Sequence, residues 1–162
     1  MRKVVKFGGS SLASAEQFKK VGNIIRSDES RCYVVPSAPG KRNSRDTKVT
    51  DLLYGCYGKA AEGKDFSGNL KEIKERYYEI IQGLGLNLSL EEEFQVIEEK
   101  FKEQAGRDYA ASRGEYLNGI IMAEYLGYTF IDAATVIRFD KNGVVVSVTQ
   151  MSKMLGISEK SA

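Results

Sequence analysis

Two short apolar runs stand out in the first half of the chain, Val4-Val5-Lys6-Phe7 and Cys32-Tyr33-Val34-Val35. Neither lasts long enough to be a helix, and each reads as a short buried strand, the first over residues 2–7 and the second closed by Pro36. Between them the pattern changes period. Ser14-Ala15-Glu16-Gln17 has the form of a capping box, with Ser14 as N-cap and Gln17 at the third helical position. Phe18, Val21, Ile24 and Ile25 then recur at helical spacing to about Ser27. Strand, helix and strand within about 35 residues make a βαβ unit with a right-handed crossover. Its strands are therefore parallel, and ligands of such sheets sit beyond the carboxyl ends of the strands.

The middle of the chain is helical in pattern. Val49-Thr50-Asp51 opens a segment with Leu52, Leu53, Cys56 and Ala60 on one face, and Leu70, Ile73, Tyr77, Ile80 and Ile81 mark the next, ending at Gly83-Leu84-Gly85. Ser89-Leu90-Glu91-Glu92 reads as a second capping box, leading a helix with Phe94, Ile97 and Phe101 inward. From Asp108 to Leu126 the apolar positions Leu117, Ile120, Ile121, Ala123 and Leu126 cover more than one face, which predicts a deeply packed helix stopped by Gly127. Tyr128-Thr129-Phe130-Ile131 reads as a third core strand, closed by Asp132-Ala133. Residues 136–139 and 144–148 flank Lys141-Asn142-Gly143, a hairpin signal, and residues 149–155 suit a last short helix. Residues 41–48 are polar and basic and read as a mobile loop. The class is α/β with a parallel sheet.

Composition narrows the chemistry. The chain has 162 residues, 42% of them hydrophobic, enough for a domain with a real core. A formal net charge of +2 gives no broad basic face, so no nucleic acid partner is expected. No apolar run approaches the roughly 18 residues of a membrane span, and Met1-Arg2-Lys3 leads straight into a strand rather than a leader's apolar segment. Cys32 and Cys56 are isolated, which favours a reduced, cytoplasmic protein over a disulfide or zinc framework. There is no histidine. That excludes Ser-His-Asp and Cys-His nucleophilic catalysis, and no metal site is expected.

Lys6-Phe7-Gly8-Gly9-Ser10-Ser11 ends the first strand just before a helical pattern. Glycines let backbone N–H groups approach a phosphate, a following helix start adds unpaired N–H groups, and Lys6 adds a mobile charge. The same spacing also suits a plain strand-to-helix turn that needs two glycines for steric reasons, and on spacing alone both readings stand. Pro36-Ser37-Ala38-Pro39-Gly40 lies at the end of the second strand, so two small-residue loops meet on one edge.

The glycine motif is neither a Walker loop nor a dinucleotide fingerprint, because its lysine lies on the strand, before the glycines. That arrangement resembles the amino acid kinase family, and within it the aspartate kinases. Four further stretches agree in the same order: Val34-Val35-Pro36-Ser37-Ala38, Val49-Thr50-Asp51-Leu52-Leu53, Ser112-Arg113-Gly114-Glu115 and Ile131-Asp132-Ala133. The family usually lacks the proline at position 36. The resemblance, over roughly residues 2–140, implies an αβα sandwich of the amino acid kinase type, incomplete here, with a helical substrate side. It implies that Lys6, Gly8, Gly9 and Ser10 hold the phosphates of ATP, with Lys6 catalytic and Mg²⁺ carried by the nucleotide. It implies that Ser37, Thr50 and Glu115 hold L-aspartate, with Glu115 facing the α-ammonium. The reaction implied is transfer of the γ-phosphoryl group to the β-carboxylate. A carboxylate with a pKa near ~4 is already ionised at neutral pH and needs no general base, so a chain without histidine suits this chemistry.

Family members continue into a Gly-Arg-Gly-Gly-Ser-Asp type segment, an adenine-binding region and regulatory modules, none of which is in these 162 residues. The chain is therefore expected to be the N-terminal portion of a catalytic domain, inactive alone, with apolar surface left exposed, and a homo-oligomer in its full-length form. The alternatives are another family member acting on a different acceptor, or a non-catalytic ligand-binding or interface piece. Residue by residue the plain readings also remain: Thr50 as an N-cap, Ser37 as a turn residue, Asp132 as a cap, and Glu115 as a solvated acid, although its place in a largely apolar helix favours burial against a partner.

Overall fold

The computed structural model describes residues 1–137, 139 and 145. It divides into two units, Met1–Thr129 and Phe130–Ala162.

The first unit opens with β1 (Val4–Phe7), a 3₁₀ turn (Gly9–Leu12) and helix α1 (Ala15–Arg26), followed by β2 (Tyr33–Pro36). β1 and β2 pair in parallel, Lys6 opposite Val35 and Phe7 opposite Pro36, as the βαβ reading expects. β1 is shorter than the expected 2–7, β2 runs one residue later than its apolar run and includes Pro36, and both are covered on one face only: Val5, Phe7 and Val34 pack against the core, while Val4 and Val35 are exposed. Proline fits at the last residue of β2 because it needs no ladder N–H there. Ser14 caps α1 as expected, its hydroxyl accepting from the Gln17 N–H at 3.4 Å. Phe18, Val21 and Ile25 fill the buried stripe.

Helices α2 (Val49–Ala61), α3 (Ser67–Leu84), α4 (Glu91–Lys102) and α5 (Arg107–Leu126) follow. α5 packs against β2 and against each of α1 to α4, which explains why its apolar positions cover more than one face. α3 and α5 both end in a left-handed residue, Gly85 at φ 69° and Gly127 at φ 71°, a conformation that glycine adopts without Cβ strain. The second capping box is not formed. α4 has Leu90 as N-cap, and the Ser89 hydroxyl instead accepts from the Glu91 N–H at 3.3 Å, closing a local turn. Four aromatic rings, Tyr57, Phe66, Phe101 and Tyr109, cluster between α2, α4 and α5, with Phe101 at the centre.

The loop expected to be mobile is tied down. Arg42 donates to Asp46 through its backbone N–H (2.8 Å) and its guanidinium (2.9 Å), and also reaches Glu79 at 2.6 Å. Asp46 in turn pairs with Arg76 at 2.9 Å.

The expected third strand at Tyr128–Ile131 does not form, and the described sheet is the parallel pair β1–β2. Strand propensity alone does not decide a strand, because it is strongly context-dependent. Asp132 caps the short helix α6 (Ala133–Val136), its carboxylate accepting from the Ala134 N–H at 2.9 Å. Val136 is therefore helical rather than part of a hairpin strand. Phe139 and Val145 form an isolated antiparallel bridge, and the rest of the expected hairpin, Lys141-Asn142-Gly143 included, and the helix at 149–155 lie outside the described residues.

Candidate functional site

The carboxyl ends of β1 and β2 bring the two small-residue loops into backbone contact. The Ser37 N–H donates to the Phe7 carbonyl at 3.0 Å, and the Gly40 N–H donates to the Gly9 carbonyl at 2.8 Å. The approach leaves no room for a side chain on either strand of the contact. A Cβ at Gly9 would lie 2.8 Å from the Ala38 carbonyl oxygen, and one at Gly40 would lie 2.6 Å from the Gly9 carbonyl carbon. Gly8 differs: a Cβ there would meet nothing within 4 Å. Gly9 is thus required by packing, while Gly8 borders open space, which is where a phosphate would need backbone to be bare.

One expectation changes here. The residues after the glycines do not open a long helix. They form a single 3₁₀ turn, with the Ser11 N–H bonded to the Gly8 carbonyl at 3.0 Å, and α1 begins only at Ala15. The Gly9 and Ser10 N–H groups precede that first closed turn. Any anion held here meets loop N–H groups and the exposed Lys6 and Ser10 side chains rather than the dipole of α1.

Thr50 sits in the first turn of α2. The N-cap of that helix is Lys48, so Thr50 is not the cap, and its side chain makes no hydrogen bond among the described residues. α2 is joined directly to the second loop, because the Val49 N–H donates to the Pro39 carbonyl at 3.1 Å.

α5 supplies the other wall. Gly114 faces Ala38 so closely that a Cβ would stand 2.6 Å from the Ala38 Cβ. The next residue, Glu115, accepts from the Ala38 N–H at 3.3 Å. Glu115 is exposed rather than buried, which corrects the expectation drawn from its apolar helix: its position at the loop end of the β2–α5 contact faces solvent. Tyr77 of α3, fully buried, donates to the Gly114 carbonyl at 2.8 Å. Burial first, and then the negative charge of Glu115, hold the Tyr77 hydroxyl well above its ordinary range, so it stays a proton donor.

Two polar residues at this site were not singled out from the sequence. Asn118, one turn beyond Gly114 on α5 and fully buried, donates from Nδ2 to the Ser37 carbonyl at 2.6 Å, while its Oδ1 has no partner among the described residues. Arg76 of α3, 3% exposed, donates to the Gly40 carbonyl at 2.9 Å. Both lie on otherwise apolar stripes, and a lone polar residue on such a stripe was the signal available. Because Asn118 holds the carbonyl of Ser37, Asn118→Leu is expected to cost about 1–3 kcal/mol by leaving that carbonyl and the adjoining loop unpaired. A urea midpoint equal to that of the parent would show that the bond contributes nothing.

The structure therefore bonds Gly9 to Gly40, Ser37 to Phe7 and Glu115 to Ala38, with Gly8 and Ser10 beside Gly9 in the first loop, and sets Lys6 and Thr50 on the elements that flank these loops. Cys56 takes no part: it is buried, with its thiol pushed up to about 12 by burial, and is inert as a nucleophile. Among the described residues there is no cluster of carboxylates, cysteines and histidines able to hold a metal ion, and no helix long and apolar enough to cross a membrane.

A family model, described as the amino acid kinase family, matches residues 1–156. The chain belongs to the amino acid kinase family. It is similar to a solved aspartate kinase from Clostridium acetobutylicum, with 47% identity and a TM-score of 0.90 over 94% of this chain and 36% of that one. Aspartokinase 3 of Bacillus subtilis is 41% identical over 141 residues, 81% of this chain and 30% of that relative. E. coli aspartokinase III, solved in complex with aspartate and ADP, is 21% identical with a TM-score of 0.71, and shares the fold. This amino acid kinase chain thus spans about a third of the length of these relatives (30% and 36% of the first two).

Proposed function

We propose that this chain provides the acceptor-binding wall and the phosphate end of the nucleotide site of an aspartate kinase, which transfers the γ-phosphoryl group of ATP to the β-carboxylate of L-aspartate. The product, 4-phosphoaspartate, is a mixed anhydride, and making it is the opening step of lysine, threonine and methionine biosynthesis. The observation that carries the reading is the backbone contact of the Gly9 and Gly40 loops, with Glu115 and Asn118 anchored on the second loop. The 47% identity to a solved aspartate kinase supports the choice of acceptor.

In this reading the exposed Lys6 and the N–H groups of Gly8, Gly9 and Ser10 neutralise and orient the transferring phosphates. The open space beside Gly8 fits that role. Mg²⁺ enters with the nucleotide and spreads charge over the same oxygens. Ser37 and Thr50 hold the carboxylates of aspartate, and Glu115, exposed at the loop edge, takes its α-ammonium. The acceptor is already an anion, so the chain need only align it with the γ-phosphorus and offset the repulsion between two negative groups. The reading places the protein in the cytoplasm, as a homo-oligomer in its full-length form.

The test is a coupled assay of the full gene product with aspartate, glutamate and acetate as competing acceptors. Aspartate alone should drive ADP release, and the 162-residue chain by itself should not turn over. Lys6→Ala should lower kcat by about 10²–10³ with the fold intact. Turnover on glutamate or acetate equal to that on aspartate would sink the choice of acceptor, and an unchanged kcat would remove Lys6 from the mechanism.

A further inference from the structure

Arg76 is 3% exposed, and it does more than bond Gly40. The same guanidinium donates to the Thr47 carbonyl at 3.2 Å and pairs with Asp46 at 2.9 Å, whose side chain is 9% exposed. Gly40 ends the loop that carries Ser37, and Thr47 lies two residues before α2, the helix that carries Thr50. One side chain from α3 therefore grips both ends of the connection between the two segments. Asp46 is shared with Arg42, which reaches on to Glu79, so the counter-charge is itself held.

We propose that Arg76 is a positioning residue of the acceptor site, fixing the spacing between the Ser37 loop and the Thr50 helix by holding the Gly40 and Thr47 carbonyls from a single guanidinium. The proposal deepens the aspartate kinase reading and rests on it for the roles of Ser37 and Thr50. Stability alone does not account for an arginine at this place. Its Nε is buried without a partner among the described residues, and burial, followed by the nearby charge of Arg42, pushes the guanidinium below its ordinary pKa. Buried ion pairs replaced whole by apolar side chains often leave a protein as stable or more so. An apolar residue at position 76 would fill α3's stripe between Ile73 and Ile80 equally well, but it could hold neither carbonyl. A planar fork reaching two acceptors in fixed directions is what arginine supplies and lysine does not.

The experiment compares Arg76→Lys with the parent in the full gene product. Two readouts are taken: hydrogen exchange at the Gly40 and Val49 amides, which bracket the loop, and aspartate affinity by calorimetry. Exchange at these two amides should rise about tenfold and the aspartate Kd should rise about tenfold, with exchange in α4 unchanged. Parent-like exchange and affinity would overturn the proposal, and so would exchange raised uniformly through α3 and α4, since that would be general loosening. If the parent itself does not bind aspartate, the acceptor reading fails while the exchange arm still decides what Arg76 holds. If Arg76→Lys does not fold, Asp46→Asn is read in its place: it keeps the guanidinium and removes its counter-charge, and parent-like exchange at Gly40 and Val49 would again overturn the proposal.

Discussion

Gly40→Ala is expected to force the two loops of the site apart and to cost about 1–3 kcal/mol, the usual range for overpacking a filled position. The added Cβ would lie 2.6 Å from the Gly9 carbonyl carbon, 2.7 Å from the Ser10 nitrogen and 2.8 Å from the Gly9 oxygen. All three are backbone atoms, so no rotamer can relieve the contact. Neither can Gly40 shift freely, because its N–H is bonded to the Gly9 carbonyl and its own carbonyl to Arg76. The strain must appear as separation of β1's loop from β2's loop, the junction on which the proposed phosphate and acceptor contacts meet. Gly8→Ala is the control. Its Cβ would enter open space, so stability should be unchanged while nucleotide affinity falls. Urea denaturation separates the two, and equal midpoints for Gly40→Ala and Gly8→Ala would mean that the loops do not touch as described.

Much of the site was readable because its parts are local. The end of a parallel strand, two glycines, and a serine three residues after an apolar run are each visible in a window of a few residues, and the parallel β1–β2 pair brings them together. The helices were readable for the same reason: Phe18, Val21 and Ile25, or Phe94, Ile97 and Phe101, declare their inward faces by spacing alone. What was not readable depends on partners distant in sequence. Tyr128–Ile131 has strand-forming residues, yet it forms no strand in the described sheet. Glu115 was expected to be buried because its helix is apolar, yet the turn that carries it ends at the solvent edge of the Ala38 loop. Arg76 and Asn118 are the instructive cases. Residues 73, 76, 77 and 80 share one stripe of α3, and 114, 117, 118 and 121 share one stripe of α5. Spacing places both polar residues inward, but only the fold shows that each meets a carbonyl of the second loop, 36 and 81 residues away in sequence.

Phe101→Ala should be the most destabilising change away from the site, by about 3–5 kcal/mol. Phe101 is fully buried, with its ring centroid 5.7 Å from Tyr57, 6.3 Å from Phe66 and 6.4 Å from Tyr109. Two of these contacts are edge-on, at 72° and 87°. That is the geometry in which aromatic pairs gain about 0.5–1.5 kcal/mol beyond the area they bury. Removal of the ring therefore opens a cavity and breaks three pairings at once. Phe101→Leu retains most of the volume and loses only the ring contacts, so it should cost distinctly less. The outcome bears on function through its contrast with Gly40→Ala. The aromatic cluster sits at the N-terminal end of α5, around Tyr109, whereas the loop contacts come from Gly114, Glu115 and Asn118 further along the helix. Well below its melting temperature, Phe101→Ala should retain parent-like exchange at the Gly40 amide despite its lower stability, whereas Gly40→Ala should disturb the site more than the core. A Phe101→Ala midpoint within about 1 kcal/mol of the parent would show that α4 and α5 can close over the gap. Exchange at Gly40 rising in step with the lost stability would show that the core and the site open as one cooperative unit.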